Sequence, residues 1–575
     1  MQAVYNIAEI CARHGITDVV LSPGSRSAPL TLAFARHPEL TVRVVPDERA
    51  AAFIGLGIAQ AQRRAVALVC TSGTAGLNYA PAVAEAFFQQ IPLVVFTADR
   101  PPEWIDQLDG QTIRQRNLYG AHAKGAFEFP VDTTHADAKW HSARIVNEAI
   151  NLAQAAPAGP VQVNVPLREP FYPKAGEEIR YEQDVKIIRD SGAGDSMNTF
   201  DRELVSKQPD WTALFARILV VVAQQTRDNG FNDALNDFAR QSGATIVADV
   251  ISNINGGSNT VALQDIFLAG ANSHYLEQLR PSLLVTVGKS LISKALKQYL
   301  RKHPSQQHWH IQSHAEPVAD VFRSLTEVFR VNTSLFFQDF AHEFSRDIRL
   351  QAQTFGKNWR DANRKANLLI NDFFSDLSQP FNEFSAFRHA LTALPETTAL
   401  HLANSMAVRY ANILGTPPGK NIDVFANRGT SGIDGCTSTA VGAALAQPGR
   451  PVVLLTGDVA FFYDRNAFWH NYPLPNLRVV LFNNHGGGIF RLIDGPRQQP
   501  ELEEFFETRQ QLTAENAARD FHLRYFPVSS FAELETALPV FFAAETGAAI
   551  LEVFTDSKTN AAFFEEYRAA VKAAF

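Results

Sequence analysis

Pro451-Val-Val-Leu-Leu-Thr-Gly-Asp458 carries a continuous apolar strand into an acidic residue, and Leu477-Arg-Val-Val-Leu-Phe-Asn-Asn484-His-Gly-Gly-Gly488 repeats the pattern with paired asparagines. Uninterrupted apolar strands belong to sheets covered on both faces, and the interval between these two has room for one helical crossover. Strands joined in that way lie parallel, so Asp458 and Asn484 fall at the same carboxyl edge, where open α/β sheets receive ligands. Asp458, the amide oxygen of Asn484 and a backbone carbonyl at Gly486 form a set of hard oxygens of the kind Mg²⁺ takes alongside the oxygens of a diphosphate. Each piece alone also reads as a tight turn or a loop. Together, at matching strand ends, they point to a metal-bridged anion.

The same rhythm extends back through the chain. Asp18-Val-Val-Leu-Ser22, Ala65-Val-Ala-Leu-Val-Cys70, Pro92-Leu-Val-Val-Phe-Thr97 and Pro160-Val-Gln-Val-Asn-Val165 alternate with helical stretches. A second set lies at 218–222, 244–248, 282–287 and 308–311, and the last strand of the third set at 549–554. This predicts an α/β protein of three tandem parallel-sheet domains, residues 1–180, 205–345 and 376–575. The polar stretch 176–210 reads as an interdomain linker. Residues 334–375 read as amphipathic helix, with Phe336, Phe337, Phe340 and Phe344 spaced as core residues. The middle set has no glycine fingerprint after its first strand, and so makes no case for dinucleotide binding.

Composition narrows the function classes. The chain has 575 residues, 46% of them hydrophobic and 19% charged, with a formal net charge of -7. That is a soluble multidomain protein without a basic field for nucleic acid or an anionic membrane, so any anionic ligand must be met by local groups. The three cysteines, Cys11, Cys70 and Cys436, lack the spacing of a disulfide framework or a zinc site and fit a reducing compartment. No basic segment leads into an apolar run at the start, where Glu9 interrupts, and no uncharged run is long enough to span a bilayer. The expectation is a cytoplasmic protein with no membrane or nucleic-acid partner.

The aspartate-to-asparagine arrangement resembles the diphosphate signature of thiamine diphosphate enzymes, with Val459 where a second glycine often follows the aspartate. That resemblance implies pyrimidine, central and diphosphate domains, thiamine diphosphate with Mg²⁺ (or Mn²⁺) as cofactors, and a glutamic acid in the first domain against the aminopyrimidine ring. Glu48, in Val42-Arg-Val-Val-Pro-Asp-Glu48-Arg-Ala-Ala-Ala-Phe-Ile-Gly55, matches it between a strand and a small-residue helix. Alone, Glu48 would be no more than a favourable charge at a helix start. In an apolar cleft its pKa would rise by desolvation, which suits a group that holds a proton at the ring nitrogen. Thr74, in Cys70-Thr-Ser-Gly-Thr74, is similar to the family's turn beside the pyrimidine.

Four further segments place arginine beside glycine, serine or asparagine at strand ends. They are Ser22-Pro-Gly-Ser25-Arg26-Ser27, Thr97-Ala-Asp-Arg100-Pro-Pro-Glu103, Asn404-Ser405-Met-Ala-Val-Arg409 and Asn427-Arg428-Gly-Thr-Ser431-Gly-Ile433-Asp-Gly435. One such arginine is usually part of a structural ion pair, whereas four at ligand-side loops suit several carboxylates, each able to take the two parallel hydrogen bonds of a guanidinium. With Ile113-Arg-Gln115 they run in order along essentially the whole chain. They resemble the family of 2-succinyl-5-enolpyruvyl-6-hydroxy-3-cyclohexene-1-carboxylate synthases, thiamine enzymes of menaquinone biosynthesis.

The resemblance implies a transferase that decarboxylates 2-oxoglutarate and adds the succinyl carbanion equivalent 1,4 to isochorismate. It puts Ser405 and Arg409 on the distal carboxylate with Arg428 behind them, and Ser25, Arg26, Arg100, Gln111 and Lys294 on isochorismate. It sets Ile433 against the bent cofactor with Ile489 and Phe490 beside it, counts Ser431 and Gly486 among the cofactor contacts, and implies a homodimer or homotetramer with active sites at subunit interfaces. Two positions depart from the family pattern: Ala295 stands where a basic residue often follows the lysine, and Gly110 where an asparagine sometimes precedes the glutamine. The rival readings are another thiamine diphosphate carboligase, such as an acetolactate synthase-like enzyme, and a non-catalytic cofactor-binding protein of the same fold.

Overall fold

In the computed structural model, the described residues are 1–575 apart from 175–176, 191–210, 255, 315, 342–343 and 377, and apart from the side chains of 211–212. Strands β1 (Asp18–Leu21), β2 (Thr41–Val44), β3 (Val66–Cys70), β4 (Leu93–Asp99), β5 (Gly125–Glu128) and β6 (Val161–Pro166) form one sheet in the order β2-β1-β3-β4-β6-β5. The second sheet contains β7 (Ile218–Val222), β8 (Thr245–Ala248), β9 (Thr260–Val261), β10 (Leu283–Val287), β11 (Gln307–Gln312) and β12 (Glu327–Arg330), in the order β12-β11-β10-β7-β8-β9. The third is built from β13 (Thr397–Leu402), β14 (Asn421–Phe425), β15 (Val452–Gly457), β16 (Leu477–Asn483), β17 (Arg524–Val528) and β18 (Ala549–Phe554), ordered β14-β13-β15-β16-β18-β17. The described pairings are parallel throughout. The central strands β3, β4, β10 and β16 are buried along their whole length, as their unbroken apolar runs require when helices cover both faces.

In the first and third sheets the strand order reverses between β1 and β3 and between β13 and β15. At such a reversal the outgoing loops diverge and leave a crevice beyond the carboxyl ends. Ser25 and Arg26 follow β1, Glu48 follows β2, Thr74 follows β3 and Arg100 follows β4. Ser405 follows β13, Arg428 follows β14, Asp458 follows β15 and Asn484 follows β16.

The first and third sheets are tied together within the chain. The helix Glu48–Gln62 is capped by Asp47, which accepts the Ala50 N–H at 3.3 Å, and it crosses the helix Cys436–Ala446 at a contact made of small residues. A Cβ on Gly57 would lie 2.1 Å from the Thr439 carbonyl oxygen, and one on Gly442 would lie 2.1 Å from that of Ile54. Buried Glu85 adds a polar tie, accepting the Gly429 N–H at 2.8 Å and the Thr430 N–H at 2.6 Å.

Two expectations need correction. Of the stretch read as a linker, 176 and 191–210 lie outside the described residues, but 177–190 is strapped to the first domain. Gln2 Nε2 donates to the Arg180 carbonyl at 2.7 Å, Arg13 Nη1 to that of Val185 at 3.2 Å, and Val185 is buried. Helix side chains thus take several of this segment's backbone carbonyls, those of Lys186 and Ile188 included, through Asn147 and Asn151. The amphipathic segment 334–375 is two helices, Thr333–Phe340 and Arg346–Phe373, because Ser345 caps the second by accepting the Ile348 N–H at 3.4 Å. Phe336, Phe337, Phe340 and Phe344 are core, as their spacing predicts. Among the described residues no helix is long and apolar enough to cross a membrane.

Candidate active site

Asp458 is the first residue of the helix Asp458–Tyr463 and is buried. Its Oδ1 accepts the Val459 N–H at 2.8 Å, while Oδ2 accepts the Gly486 N–H at 2.7 Å and Gln510 Nε2 at 2.9 Å. These donors are neutral, and burial pushes the carboxyl pKa up to about 6. Asn484 Nδ2 donates to Glu383 Oε2 at 2.7 Å, leaving the Asn484 Oδ1 buried without a hydrogen-bond partner. The Gly486 carbonyl accepts the Gly488 N–H at 3.0 Å and keeps a second lone pair. A Cβ on Gly486 would stand 2.6 Å from the Glu507 carbonyl oxygen, so only glycine lets this loop pass.

Asn404 organises the neighbouring loops. Its Nδ2 donates to the carbonyls of Asn427 and Gly432 at 2.8 and 2.6 Å, and its Oδ1 accepts Arg428 Nη1 at 2.9 Å. Ser405 holds a left-handed φ of 71°, and its carbonyl accepts Arg409 Nη1. Burial, and then the nearby Arg428, lowers the pKa of Arg409. Arg409, Lys294, Ala295, Met406 and Ile489 line one cleft between the central and third sheets. Lys294 opens the helix Lys294–Lys302, whose cap Ser293 donates to Asp265; the other oxygen of Asp265 accepts Asn412 Nδ2 at 2.7 Å, from the helix that carries Arg409. Ser431 is exposed, while Ile433 packs at the edge of the core and Phe490 against Phe506.

On the first sheet, Glu48 opens onto a recess lined with Thr71, Ser72, Gly73, Thr74 and Gln111, and burial raises its pKa. The hydroxyls of Thr71 and Ser72 are buried there without partners. Gly73, at φ 87°, donates its N–H to Gln115 Oε1 at 2.7 Å, and Gln115 Nε2 donates to the Ala98 carbonyl and to Asn164 Oδ1, each at 3.0 Å. This relay fixes the turn that presents Thr74. Arg26 donates to the Leu167 carbonyl at 2.9 Å and lies 4.4 Å over the Phe171 ring, whereas Ser25 and Gln111 are exposed. Arg100 is held by Asp109 at 2.9 Å and by the Gly110 carbonyl at 2.6 Å, so Gly110 contributes through its main chain.

Three protein-family profiles match the chain: the N-terminal TPP (thiamine diphosphate) binding domain of thiamine pyrophosphate enzymes over residues 1–121, the "middle domain of thiamine pyrophosphate" over 196–402, and the C-terminal TPP binding domain over 415–553. A 2-succinyl-5-enolpyruvyl-6-hydroxy-3-cyclohexene-1-carboxylate synthase of Cytophaga hutchinsonii is 43% identical over 575 residues, covering 100% of both chains. The chain belongs to this synthase family. Proteins of the same name from Flavobacterium johnsoniae and Porphyromonas gingivalis are 36% and 37% identical, covering 98% and 96% of this chain and 97% and 94% of theirs.

As a member of the 2-succinyl-5-enolpyruvyl-6-hydroxy-3-cyclohexene-1-carboxylate synthase family, the chain is a thiamine diphosphate-dependent enzyme of the transferase class. The groups beyond β15 and β16 fit a dication. A buried acceptor without a partner costs on the order of 1–3 kcal/mol, and a cation at Asn484 Oδ1 would offset that cost and neutralise Asp458. Among the described residues no cluster of three or more His, Cys, Asp or Glu side chains is arranged for a metal, which leaves oxygens of mixed type as the candidate set. The sequence reading of this synthase missed Glu383, Asn404 and Gln510. Glu383 and Gln510 lie far in sequence from the residues they touch and belong to no local motif, while Asn404 stands in the Asn404–Arg409 segment, whose arginine and serine alone carry expected roles.

Proposed function

We propose that this synthase decarboxylates 2-oxoglutarate and adds the remaining four-carbon unit 1,4 to isochorismate, forming 2-succinyl-5-enolpyruvyl-6-hydroxy-3-cyclohexene-1-carboxylate for menaquinone biosynthesis. The observation that carries this reading is the set of cationic side chains that follow strand ends, Arg26, Arg100 and Arg428 in loops and Lys294 and Arg409 in the first turns of helices. One reactant keeps a distal carboxylate after CO₂ leaves and the other brings two, so a site for this chemistry needs cations at both ends.

Bound thiamine diphosphate supplies a nucleophilic carbon and an electron sink for decarboxylation. In this reading Glu48 holds a proton at the pyrimidine nitrogen, a role that suits a carboxyl whose burial raises its pKa. Asp458, Asn484 and the Gly486 carbonyl hold Mg²⁺, or Mn²⁺ in its place. Thr74, Ser431, Ile433, Ile489 and Phe490 bound the cofactor. Ser405 and Arg409, backed by Arg428, orient the distal carboxylate, and Ser25, Arg26, Arg100, Gln111 and Lys294 face isochorismate.

The Glu48 recess is lined by residues 48–113 and the Arg409 cleft by residues from 265 onward, which supports an active site completed by a second copy in a homodimer or homotetramer. The three buried free cysteines suit a cytoplasmic setting. The domain limits that accompany this reading are 1–180, 205–345 and 376–575. The test is CO₂ release from 2-oxoglutarate against pyruvate with cofactor and Mg²⁺, followed by mass identification of the isochorismate adduct. Preference for pyruvate, or no adduct, rejects the proposal.

A further inference from the structure

We propose that Glu383 is a positioning residue, which locks the side-chain amide of Asn484 so that its oxygen, and not its NH₂ group, faces the metal. The inference rests on the reading of Asn484 as a Mg²⁺ ligand. A primary amide has a donor end and an acceptor end of nearly equal size, and a half-turn exchanges them. Presented to a dication, the NH₂ end repels where the oxygen end binds. A metal-ligating asparagine therefore needs something behind it that distinguishes its two ends.

Glu383 is placed to do this. It is the first residue of the helix Glu383–Thr392 and is buried. Its Oε2 lies 2.7 Å from Asn484 Nδ2, and the Asn484 Oδ1 is left buried without a partner in the protein. Glu383 is itself held by Asn560, from the C-terminal helix Ser557–Ala574. Asn560 Oδ1 accepts the Glu383 N–H at 2.8 Å, and Asn560 Nδ2 donates to the same Oε2 at 3.4 Å, and to Thr555 Oγ1 at 2.9 Å. A single oxygen thus receives two amide N–H groups. Turning Asn484 over would set its oxygen against that oxygen and its NH₂ group toward the metal. Outer partners of this kind orient metal ligands, and their loss typically weakens metal affinity by about 10–100-fold.

The test is calorimetric titration of Mg²⁺ into protein saturated with thiamine diphosphate, with thermal melts of the Mg²⁺-free proteins as the control for folding. Asn484→Ala should weaken Mg²⁺ binding; unchanged affinity there would sink the ligand reading itself and this inference with it. Glu383→Ala should weaken binding about tenfold, whereas Glu383→Gln should stay within a few-fold of wild type, because its carbonyl oxygen can still take both N–H groups. In an Asn484→Asp background, where the ligand offers oxygen at either end, Glu383→Ala should no longer weaken binding. Should Glu383→Ala fail to fold, Glu383→Leu fills the same space and serves the same comparison. If Asn484→Ala weakens binding but loss of Glu383 does not, or if loss of Glu383 costs the same factor in both backgrounds, the orienting role is wrong while the ligand reading stands.

Discussion

Arg100 grips Asp109 of its own chain, with Nε 2.9 Å from Oδ2, on a loop in which Asp106, Leu108 and Gln111 hold left-handed φ values of 64°, 60° and 54°. Arg100 is one of the cations that the proposed reaction assigns to isochorismate, so a dianionic acceptor competes with Asp109 for the same fork. The ion pair is partly exposed and is worth at most about 1 kcal/mol. Asp109→Asn should therefore lower the apparent KM for isochorismate by roughly two- to fivefold and leave that for 2-oxoglutarate unchanged, as read by steady-state kinetics with each substrate varied. A rise in the isochorismate KM would show that Asp109 aims Arg100 at the substrate instead of competing for it.

Glu48→Gln separates chemistry from folding. The substitution keeps the shape of the side chain and removes its proton exchange, in a recess where burial already raises the pKa of the glutamic acid. Turnover should fall by about 10²–10⁴-fold, with the thermal midpoint of the protein unchanged. Retention of more than a tenth of wild-type turnover would remove Glu48 from its proposed role.

Much of this was legible in the chain because parallel α/β folding writes itself locally. The apolar runs at 218–222 and 549–554 coincide with β7 and β18, and the others meet their strands within two residues at each end. Strands such as β5 and β17 escape that reading, being sheet-edge strands with partial exposure and, in β17, a proline at 527. The same division holds at the site. Asp458 and Asn484 sit at strand ends that the sequence announces, but Glu383 reaches Asn484 from another helix, and only the folded chain brings them together.

Gly442 tests the tie between the first and third sheets. Two effects oppose each other when it becomes alanine: helix propensity gains about 1 kcal/mol, while the new Cβ would stand 2.1 Å from the Ile54 carbonyl oxygen. That neighbour is helix backbone and cannot rotate away, so the helices must part, and overpacking of this kind costs typically about 1–3 kcal/mol. Gly442→Ala should lower the urea midpoint of the protein, and Gly57→Ala, which meets the Thr439 carbonyl oxygen at 2.1 Å, should do the same. A midpoint raised in either variant would mean that the two helices have room to spare.

His401 should make the protein sensitive to acid. It lies in β13, buried, with its ring stacked on Phe425 at a centroid distance of 5.0 Å and its Nε2 without a partner. Burial, reinforced by Arg450, lowers its pKa to about 3. In the unfolded chain the imidazole takes up a proton near its ordinary pKa of about 6.5, whereas the folded protein refuses it until far lower pH. The unfolded state therefore binds more protons throughout the interval, and the contribution of His401 to stability, complete above about pH 6.5, drains away as the pH falls toward about 3. At pH 5 the loss amounts to about 2 kcal/mol. His401→Leu, of similar size and without a titrating group, should show a correspondingly smaller fall in urea midpoint between pH 7.5 and pH 5 than wild type. His308 and His470, also held low by burial at about 4, remain in both proteins and cancel in the comparison. Equal falls in the two proteins would mean that His401 accepts its proton without leaving the core.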